Sequence, residues 1–455
     1  MKPSLHHRQH DADRQVGTAG RVRGSVLIIV LWVAFGLVSI ALYFAHSMTF
    51  ELRASDNRVA GLEAEQVIEG ASRYVNYVLT TYATNGAVPD RINYQHEAVP
   101  VGDARFWLIG RPDRQTTVNE PFFGLVDEGS KLNLNTATIE MLQLLPNMTA
   151  SLAAAIIDWR DADSTITTGG AEAESYARLP QPYLCKNAPF ETVDELRLVY
   201  GMTLELLYGE DANLNGTLDP NENDGPTSPP NDDRNGQLTA GILDYVTVYS
   251  REPNTGRTNI TSQPPQQFTS LLQQTLGYTQ IKANQVAARG QASRSVLEFY
   301  YNVRQLMTAD EFARIEPSIT ASTGNFVDGR VNVNTASVEV LTCVPGIGAD
   351  KAQSLVAYRQ SNPDKLHSIA WVADVLDSVS AIRSAGTNLT TRSYQFSADI
   401  AAIGHHGRGY SRARYVFDTS EGATRIRYRQ DLTRLGWALG RQARLSLLAD
   451  NRITR

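Results

Sequence analysis

The sequence predicts an α+β fold: a long N-terminal helix, short strands near residues 106–127 and toward the C-terminus, and a large, mostly helical stretch between them. Three observations predict it. An uncharged run from Ser25 to Ala45 continues into an amphipathic segment without a helix breaker. A gapless internal repeat relates residues 132–160 to 331–359. An alternating hairpin pattern lies near the C-terminus.

The N-terminal element comes first. Ser25 to Ala45 reads SVLIIVLWVAFGLVSIALYFA. At 1.5 Å per residue the run reaches about 31 Å, the thickness of a hydrocarbon core. Backbone polar groups in lipid bond internally, so the run is read as a helix. Lys2, Arg8, Arg14, Arg21 and Arg23 precede it, which predicts a cytoplasmic N-terminus and everything after Ala45 on the far side. A cleaved signal peptide would have a shorter apolar core and a small-residue cleavage site. Here the helical pattern continues: His46 to Thr81 holds no proline and only Gly61 and Gly70. Val59, Leu62, Val67, Ala71, Tyr74, Val75 and Val78 recur at helical spacing.

The repeat comes next. A constant offset of 199 aligns Asn133, Asn135, Thr136 and Ala137 with Asn332, Asn334, Thr335 and Ala336. Glu140, Leu142, Pro146 and Arg160 align with Glu339, Leu341, Pro345 and Arg359. Each copy reads as a helix-hairpin-helix: Asn or Thr as N-cap, a glutamate in the first turns, a proline turn, then a second apolar helix. Val344-Pro345-Gly346-Ile347-Gly348 matches the hairpin closely. Such hairpins often hold nucleic-acid phosphates on backbone N–H groups. Here Pro146-Asn147-Met148-Thr149 lacks the glycines and Asp350 follows the second hairpin, so both copies are read as packing units and nucleic acid is not favoured. Phe190 to Leu198 (FETVDELRL) reads as another capped helix.

Residues 211–222, DANLNGTLDPNE, fit the calcium-loop pattern D-x-[DN]-x-[DN]-G-x5-E at every fixed position. Calcium takes six to eight oxygens at about 2.3–2.6 Å. Asp211, Asn213 and Asn215 offer side-chain oxygens, Thr217 its carbonyl, Asp219 a ligand through water, and Glu222 both carboxylate oxygens; Asp224 is spare. Twenty residues on, Asn231, Asp233 and Asn235 repeat the first three ligands and Gly236 the turn, but Ile242 stands at the twelfth position, with Asp244 as a substitute. The exit segment NDGPTSPPND excludes an EF-hand helix, so the expected cofactor is structural calcium rather than a sensor ion.

Phe106–Gly110, Phe122–Asp127 and Leu243–Ser250 read as strands, and Gln263–Arg289 as Gln-rich and irregular. Ala413–Phe417 and Thr424–Tyr428 form the hairpin, with Arg425, Arg427 and Arg429 on one face. Residues 401–455 hold 11 arginines, read as a solvated face. A formal net charge of −6 excludes general attraction to nucleic acid or anionic lipid. Cys185 and Cys343 allow at most one bridge or two thiols. His405 and His406 read as loop residues, and no catalytic constellation is visible, so no enzyme is expected.

A basic leader ending in glycine, a spanning helix and an amphipathic continuation resemble the type IV pilin and pseudopilin family. In that family a prepilin peptidase cuts after the glycine, here between Gly24 and Ser25. Major members carry glutamate at the fifth mature position; this chain has Ile29. That departure, the segment ELRASDNRVAGLEAEQVIEGASRYVNYVL, the repeat and the calcium loop resemble the large minor pseudopilins of type II secretion, the protein K family. The resemblance implies a pilin-like helix packed on a small antiparallel sheet, interrupted by a helical insertion with two helix-hairpin-helix (SAM-like) modules and calcium sites. It divides the chain into a leader (1–24), a transmembrane helix (25–45), a pilin-like helix and first strands (46–127), the insertion (128–365), and its end with the C-terminal sheet (366–455). It further implies a single-pass inner-membrane protein with a periplasmic domain. Its partners would be other minor pseudopilins, the pseudopilus and the prepilin peptidase. The competing expectations are a membrane-anchored DNA receptor and a calcium-dependent adhesin.

Overall fold

A computed structural model describes residues 23–111, 121–262 and 265–453. The leader before Arg23 lies outside the described residues. The chain divides into two compact units, residues 1–59 and 60–455. The first helix, α1 (Arg23–Tyr82), begins in one and ends in the other. Within the first unit, the side chains from Val26 to Phe44 are exposed, and this stretch is long and apolar enough to cross a membrane.

Within the second unit, α1 buries Ala64, Val67, Ile68, Ala71, Val75, Val78 and Leu79. These recur three or four residues apart, so they form one stripe. Val59 and Leu62, expected on that stripe, are exposed instead; the buried face turns through Ala60 and Ala64. The stripe packs on a six-stranded sheet. Its first strands are β1 (Val99–Val101), β2 (Ala104–Ile109) and β3 (Val126–Asp127). Phe106 and Leu108 face the helix together with Phe396, Ala398, Ile400, Ala402, Ala413, Tyr415 and Phe417 from later strands. Fully burying one such side chain stabilises by roughly 1.5–3 kcal/mol.

Between β3 and the remaining strands lies the helical insertion. Its first copy runs through β4 (Leu132–Asn133), α2 (Ile139–Gln143), α3 (Ala150–Arg160), α4 (Ala173–Ala177), a 3-10 helix at Val193–Leu198, α5 (Leu204–Tyr208) and β5 (Val246–Thr247). A strand β6 (Arg251–Pro253) leads into β7 (Thr258–Asn259), α6 (Gln266–Leu276), α7 (Gln280–Gly290), α8 (Val296–Val303), α9 (Ala309–Ile315) and β8 (Ile319–Thr320). The part of 263–289 that is described is thus two regular helices joined at Gly277, not irregular chain. Strand β9 (Phe326–Asp328) returns to pair antiparallel with β6. The last copy follows as β10 (Val331–Asn332), α10 (Val338–Cys343), α11 (Gly348–Ser361), α12 (Val372–Val375), α13 (Val379–Ala385) and β11 (Leu389–Thr390).

The middle stretch is a third copy of the module. In all three, an opening strand pairs parallel with a closing one: β4 with β5, β7 with β8, β10 with β11. In all three the opening asparagine accepts the N–H two residues on: Asn133 from Asn135, Asn259 from Thr261, Asn332 from Asn334. The closing threonine does the same: Thr247 from Tyr249, Thr320 from Ser322, Thr390 from Arg392. Helix starts are capped by hydroxyls at Thr138, Thr149, Thr203, Thr279, Ser295, Thr308, Ser337 and Ser378. The first caps therefore fall at Thr138 and Ser337, not at the Asn-Thr pair, because Asn135 is engaged by the Phe190 main chain and Asn334 by Leu366 and Trp371. The expected capped helix at FETVDELRL is present, closed by a Thr192–Glu195 capping box. One continuous apolar core spans the three copies, from Leu142 through Phe299 to Leu341.

The chain then completes the sheet with β12 (Gln395–Gly404), β13 (Arg408–Asp418) and β14 (Arg425–Asp431), and ends in α14 (Gly440–Ile453). The order is β1-β2-β12-β13-β14, with β3 beside β12, and every pairing is antiparallel. At the β12–β13 turn, Gly404 and Gly409 lie against the Ala60 backbone, and a Cβ at Gly409 would overlap it. The sheet's far face carries Trp107, Ile109, Ala401 and Ile403, covered by Ala438 and Leu439. Two adjacent buried acids join insertion and sheet. Asp127 accepts from Asn332, Thr335 and Ser393, and Glu128 from Thr247, Ser397 and Lys131. Burial pushes the Asp127 carboxyl up to about 6 against those hydrogen bonds.

Candidate functional site

Loop 211–222 follows α5, which Gly209 stops at φ 64°. Leu214 (φ 56°) and Gly216 (φ 74°) reverse the chain. Asp211 accepts the N–H groups of Asn215 (2.9 Å) and Gly216 (2.8 Å). Asn213 accepts from Asn215 (3.0 Å) and Asn215 from Thr217 (2.7 Å), so the three leading oxygens turn inward. Both asparagine amides donate to Asp219, at 2.7 and 3.0 Å. Glu222 folds back onto the N–H groups of Ala212 and Asp219, each at 2.9 Å. All six expected ligand residues thus lie on one compact loop.

The loop is buried: Asp211 and Glu222 are 1% exposed and Asn215 0%. Burial raises the Asp211 carboxyl, opposed by Arg111. Burial, then the Asp211 charge, pushes Glu222 up to about 8. Two buried carboxyls and an unpartnered Thr217 hydroxyl form an oxygen-only donor set, which suits a hard cation. Among the described residues, no three His, Cys, Asp or Glu side chains already stand at metal-ligand spacing, so amide and main-chain oxygens complete any shell here.

The second loop repeats the backbone. Arg234 (φ 57°) and Gly236 (φ 74°) stand where Leu214 and Gly216 do. Asp233 accepts from Asn235 (3.0 Å), and Asn235 from Gln237 (2.6 Å). Asn231, Asp233 and Asn235 are exposed, however, and Ile242 is buried in the core. Asp244, the expected substitute, pairs with Arg111 at 3.1 Å. Asp224 is not spare; it holds the N–H and hydroxyl of Ser228.

A third acidic group was not read from the sequence. Asp158, fully buried, accepts from Thr167 (3.1 Å) and Ala171 (2.7 Å). Near it, Glu172 is 3% exposed, with the Ala173 N–H and the Asn187 amide as its neighbouring donors. One oxygen each of Asp161 and Asn187 is buried and unpartnered. Burial and then mutual repulsion with Asp158 and the neighbouring acids raise both Asp161 and Glu172. The signal was present in DADSTITTGGAE: Asp161, Asp163 and Glu172 fall at positions one, three and twelve of a loop. Asp163 even accepts from Thr165 at 2.7 Å, like the leading residues of the other loops. The absent glycine at position six, where Ile166 stands, concealed it.

The second recognised hairpin packs against a helix of its own copy. Gly346 (φ 84°) lies against α13, where an added Cβ would meet Ser384 at 2.9 Å and the Ala381 carbonyl at 3.0 Å. Asn147 takes the same left-handed turn in the first copy, at φ 59°. Arg160 and Arg359 hold main-chain carbonyls of their own copies, at Leu134 and Ala137 and at Val333 and Ala336. Asp350 lies in the first turn of α11, and the next residue, Lys351, pairs with Asp377 at 2.6 Å. His405 binds Glu63 at 2.7 Å, a structural contact of the β12–β13 turn. The C-terminal arginines are not a free patch: Arg425, Arg427 and Arg429 pair with Glu421, Asp418 and Glu69. Cys185 and Cys343 are both free. Gly24 and Ser25 lie in the first turn of α1.

Residues 129–208 match the family model for type II secretion system protein K, and residues 328–368 match the helix-hairpin-helix motif. Type II secretion system protein K of Pectobacterium carotovorum subsp. carotovorum is 27% identical over 201 residues, 41% of this chain and 60% of that protein. The Aeromonas hydrophila protein of the same name is 29% identical over 205 residues, 41% of this chain and 61% of that one. The chain therefore spans about 60% of the length of the curated relatives it matches. A solved chain from the GspK-GspI-GspJ complex of the enterotoxigenic Escherichia coli type 2 secretion system aligns over 81% of this chain and 96% of its own length, with TM-score 0.42 and 12% identity. The family segment begins just before β4 and ends with α5, inside the first copy of the module.

Proposed function

We propose that this chain is a minor pseudopilin of a type II secretion system. It is anchored in the inner membrane by residues 25–45, with its globular part in the periplasm. There it joins other minor pseudopilins at the pseudopilus tip and helps to start assembly. The observation that carries this reading is the setting of the family segment: residues 129–208 lie in an insertion between β3 and β12 of the sheet that α1 packs on. The role is assembly, and no catalytic chemistry is needed for it. A prepilin peptidase cuts between Gly24 and Ser25. Ile29 replaces the glutamate that would neutralise a neighbour's N-terminal amine in lipid, where an unpaired charge is costly. A subunit without that acid suits one end of a filament, and its bulky insertion hinders stacking in the middle. Gly346 packed on α13 supports a structural role for the hairpins over a DNA-receptor role.

Calcium is the proposed structural cofactor. Asp211, Asn213, Asn215, the Thr217 carbonyl, Asp219 and Glu222 would hold it. Asp161, Asp163, Glu172 and Asn187 form a second candidate centre. When bound, the cation supplies positive charge to buried oxygens that otherwise lack it.

The test is co-purification of the full chain with candidate minor pseudopilins from detergent extracts; failure to retain any of them defeats the reading. Gly24→Val should leave the precursor uncut. A mature N-terminus found elsewhere by mass spectrometry, for instance after Ala45, would contradict the anchor.

A further inference from the structure

We infer that Arg412 is the positioning residue of loop 211–222, and that a cation bound there clamps the insertion to the sheet and to the C-terminal segment. The inference rests on the calcium reading of that loop. Arg412 projects from β13 and is completely buried. Its guanidinium grips Asp399 on β12 with two bonds of 2.7 Å, a geometry that fixes its plane. The remaining N–H groups point at the loop: Nη1 donates to the Asn213 carbonyl (2.5 Å) and Nη2 to the Leu214 carbonyl (2.8 Å). Leu214 is the non-glycine residue held at φ 56°, a conformation a leucine does not choose unaided. The loop's own side-chain hydrogen bonds shape this turn, as in the second loop, and Arg412 fastens it to the sheet. It is also the turn that aims the Asp211, Asn213 and Asn215 oxygens inward.

The loop has two further anchors. Asn213 donates its amide to the Trp437 carbonyl at 3.1 Å. Trp437 packs at a tilt against Tyr410 of β13, with ring centres 5.3 Å apart, and donates to the Gly440 carbonyl at the start of α14. Arg111, just after β2, pairs with Asp244, and its charge is felt at Asp211 and Asp399. Strands β2, β12 and β13, the segment at Trp437 and the insertion therefore meet at one loop. A cation that tightens Asp211, Asn213 and Asn215 tightens carbonyls already fastened to Arg412. Arg412 touches no cation itself; it acts as an outer partner that holds ligands in place.

The test uses the full chain, with calcium chloride against chelator as the only variable. Calcium affinity is measured by titration calorimetry and backbone protection by hydrogen exchange. In the wild type, calcium should slow exchange in 408–418 and 436–447 as well as in 211–222. Arg412→Lys keeps the charge but loses the fork; it should weaken calcium binding about 10- to 100-fold and abolish the remote protection. Asn213→Asp keeps a ligand oxygen but removes the donor to Trp437. It should still bind calcium while losing protection at 436–447, and it carries the test if Arg412→Lys does not fold. Wild-type affinity in Arg412→Lys, or calcium protection confined to 211–222 in the wild type, would overturn the clamp and leave the calcium site standing. No calcium binding to the wild type, or equal binding by Asp211→Ala with Glu222→Ala, would overturn the calcium reading and the clamp with it.

Discussion

Loops 211–222 and 231–242 turn through the same dihedrals, Leu214 at 56° against Arg234 at 57°, and Gly216 and Gly236 both at 74°. Both chain their Asn and Asp side chains onto the N–H two residues on. Yet Asp211, Asn215 and Glu222 are buried under the sheet, while Asn231, Asp233 and Asn235 face solvent. Local side-chain hydrogen bonding sets the shape of such a loop. What its oxygens can do depends on burial and on the twelfth residue, where one loop has Glu222 and the other a core isoleucine.

The largest test of that contrast is Asp211→Ala together with Glu222→Ala. A ligand at a hundred times its Kd adds about 2.7 kcal/mol to the native state. The double variant should lose most of that gain, read as the calcium-dependent shift in Tm; an unchanged shift would place the cation elsewhere. Glu172→Gln comes next. Without calcium it should raise Tm, because it removes a carboxylate whose charge is opposed by burial and by Asp158. A lower Tm in chelator would contradict that reading.

pH offers a third test. The folded Glu222 carboxyl sits at about 8, above its ordinary range. Its contribution to calcium-free stability is therefore complete below the unfolded pKa of about 4.5 and is lost as pH rises toward 8. Calcium competes with that proton, so its stabilisation should grow from pH 6 to pH 8. Glu222→Gln should flatten both trends, and a calcium shift independent of pH would contradict the assignment. The smallest effect belongs to the exposed loop. Asn231→Ala with Asp233→Ala should change stability by less than about 0.5 kcal/mol, with or without calcium.

Much of this was legible in the chain. The uncharged run, the gapless offset of 199 and the alternating arginines correspond to α1, to two modules and to β14. The ligand pattern of 211–222 marked a loop that is compact and buried. The middle copy was not legible, because Thr261-Ser262-Gln263 stands there in place of Asn-Thr-Ala and no proline marks its turn. Its identity lies in strand pairing and hydroxyl geometry, which periodicity does not record. Val59 and Leu62 were misread because helical spacing gives a stripe but not its centre; the close approach of Gly404 and Gly409 to Ala60 sets that. Arg412 gave no signal, since a lone arginine in a basic strand looks solvated until Asp399 and the loop carbonyls enclose it.

Ser397 donates to Glu128 from 269 positions away, and Phe396 stands in register with Asp127. The sheet therefore cannot close early. Its first three strands must wait for β12, while each module of the insertion can form from near neighbours in sequence. Contacts this distant slow folding, because the chain between them must first be gathered in. The cost grows only logarithmically for a flexible segment, about 0.6 kcal/mol per doubling. A segment already folded into linked modules, with Asp127 hydrogen-bonded to Asn332 and Thr335, delivers its two ends side by side. The insertion thus acts as the splint on which the sheet is completed. A chain emerging from its N-terminus would hold the far edge of β2, and β3, unpaired until β12 arrives, which is the interval in which a chaperone has most to protect.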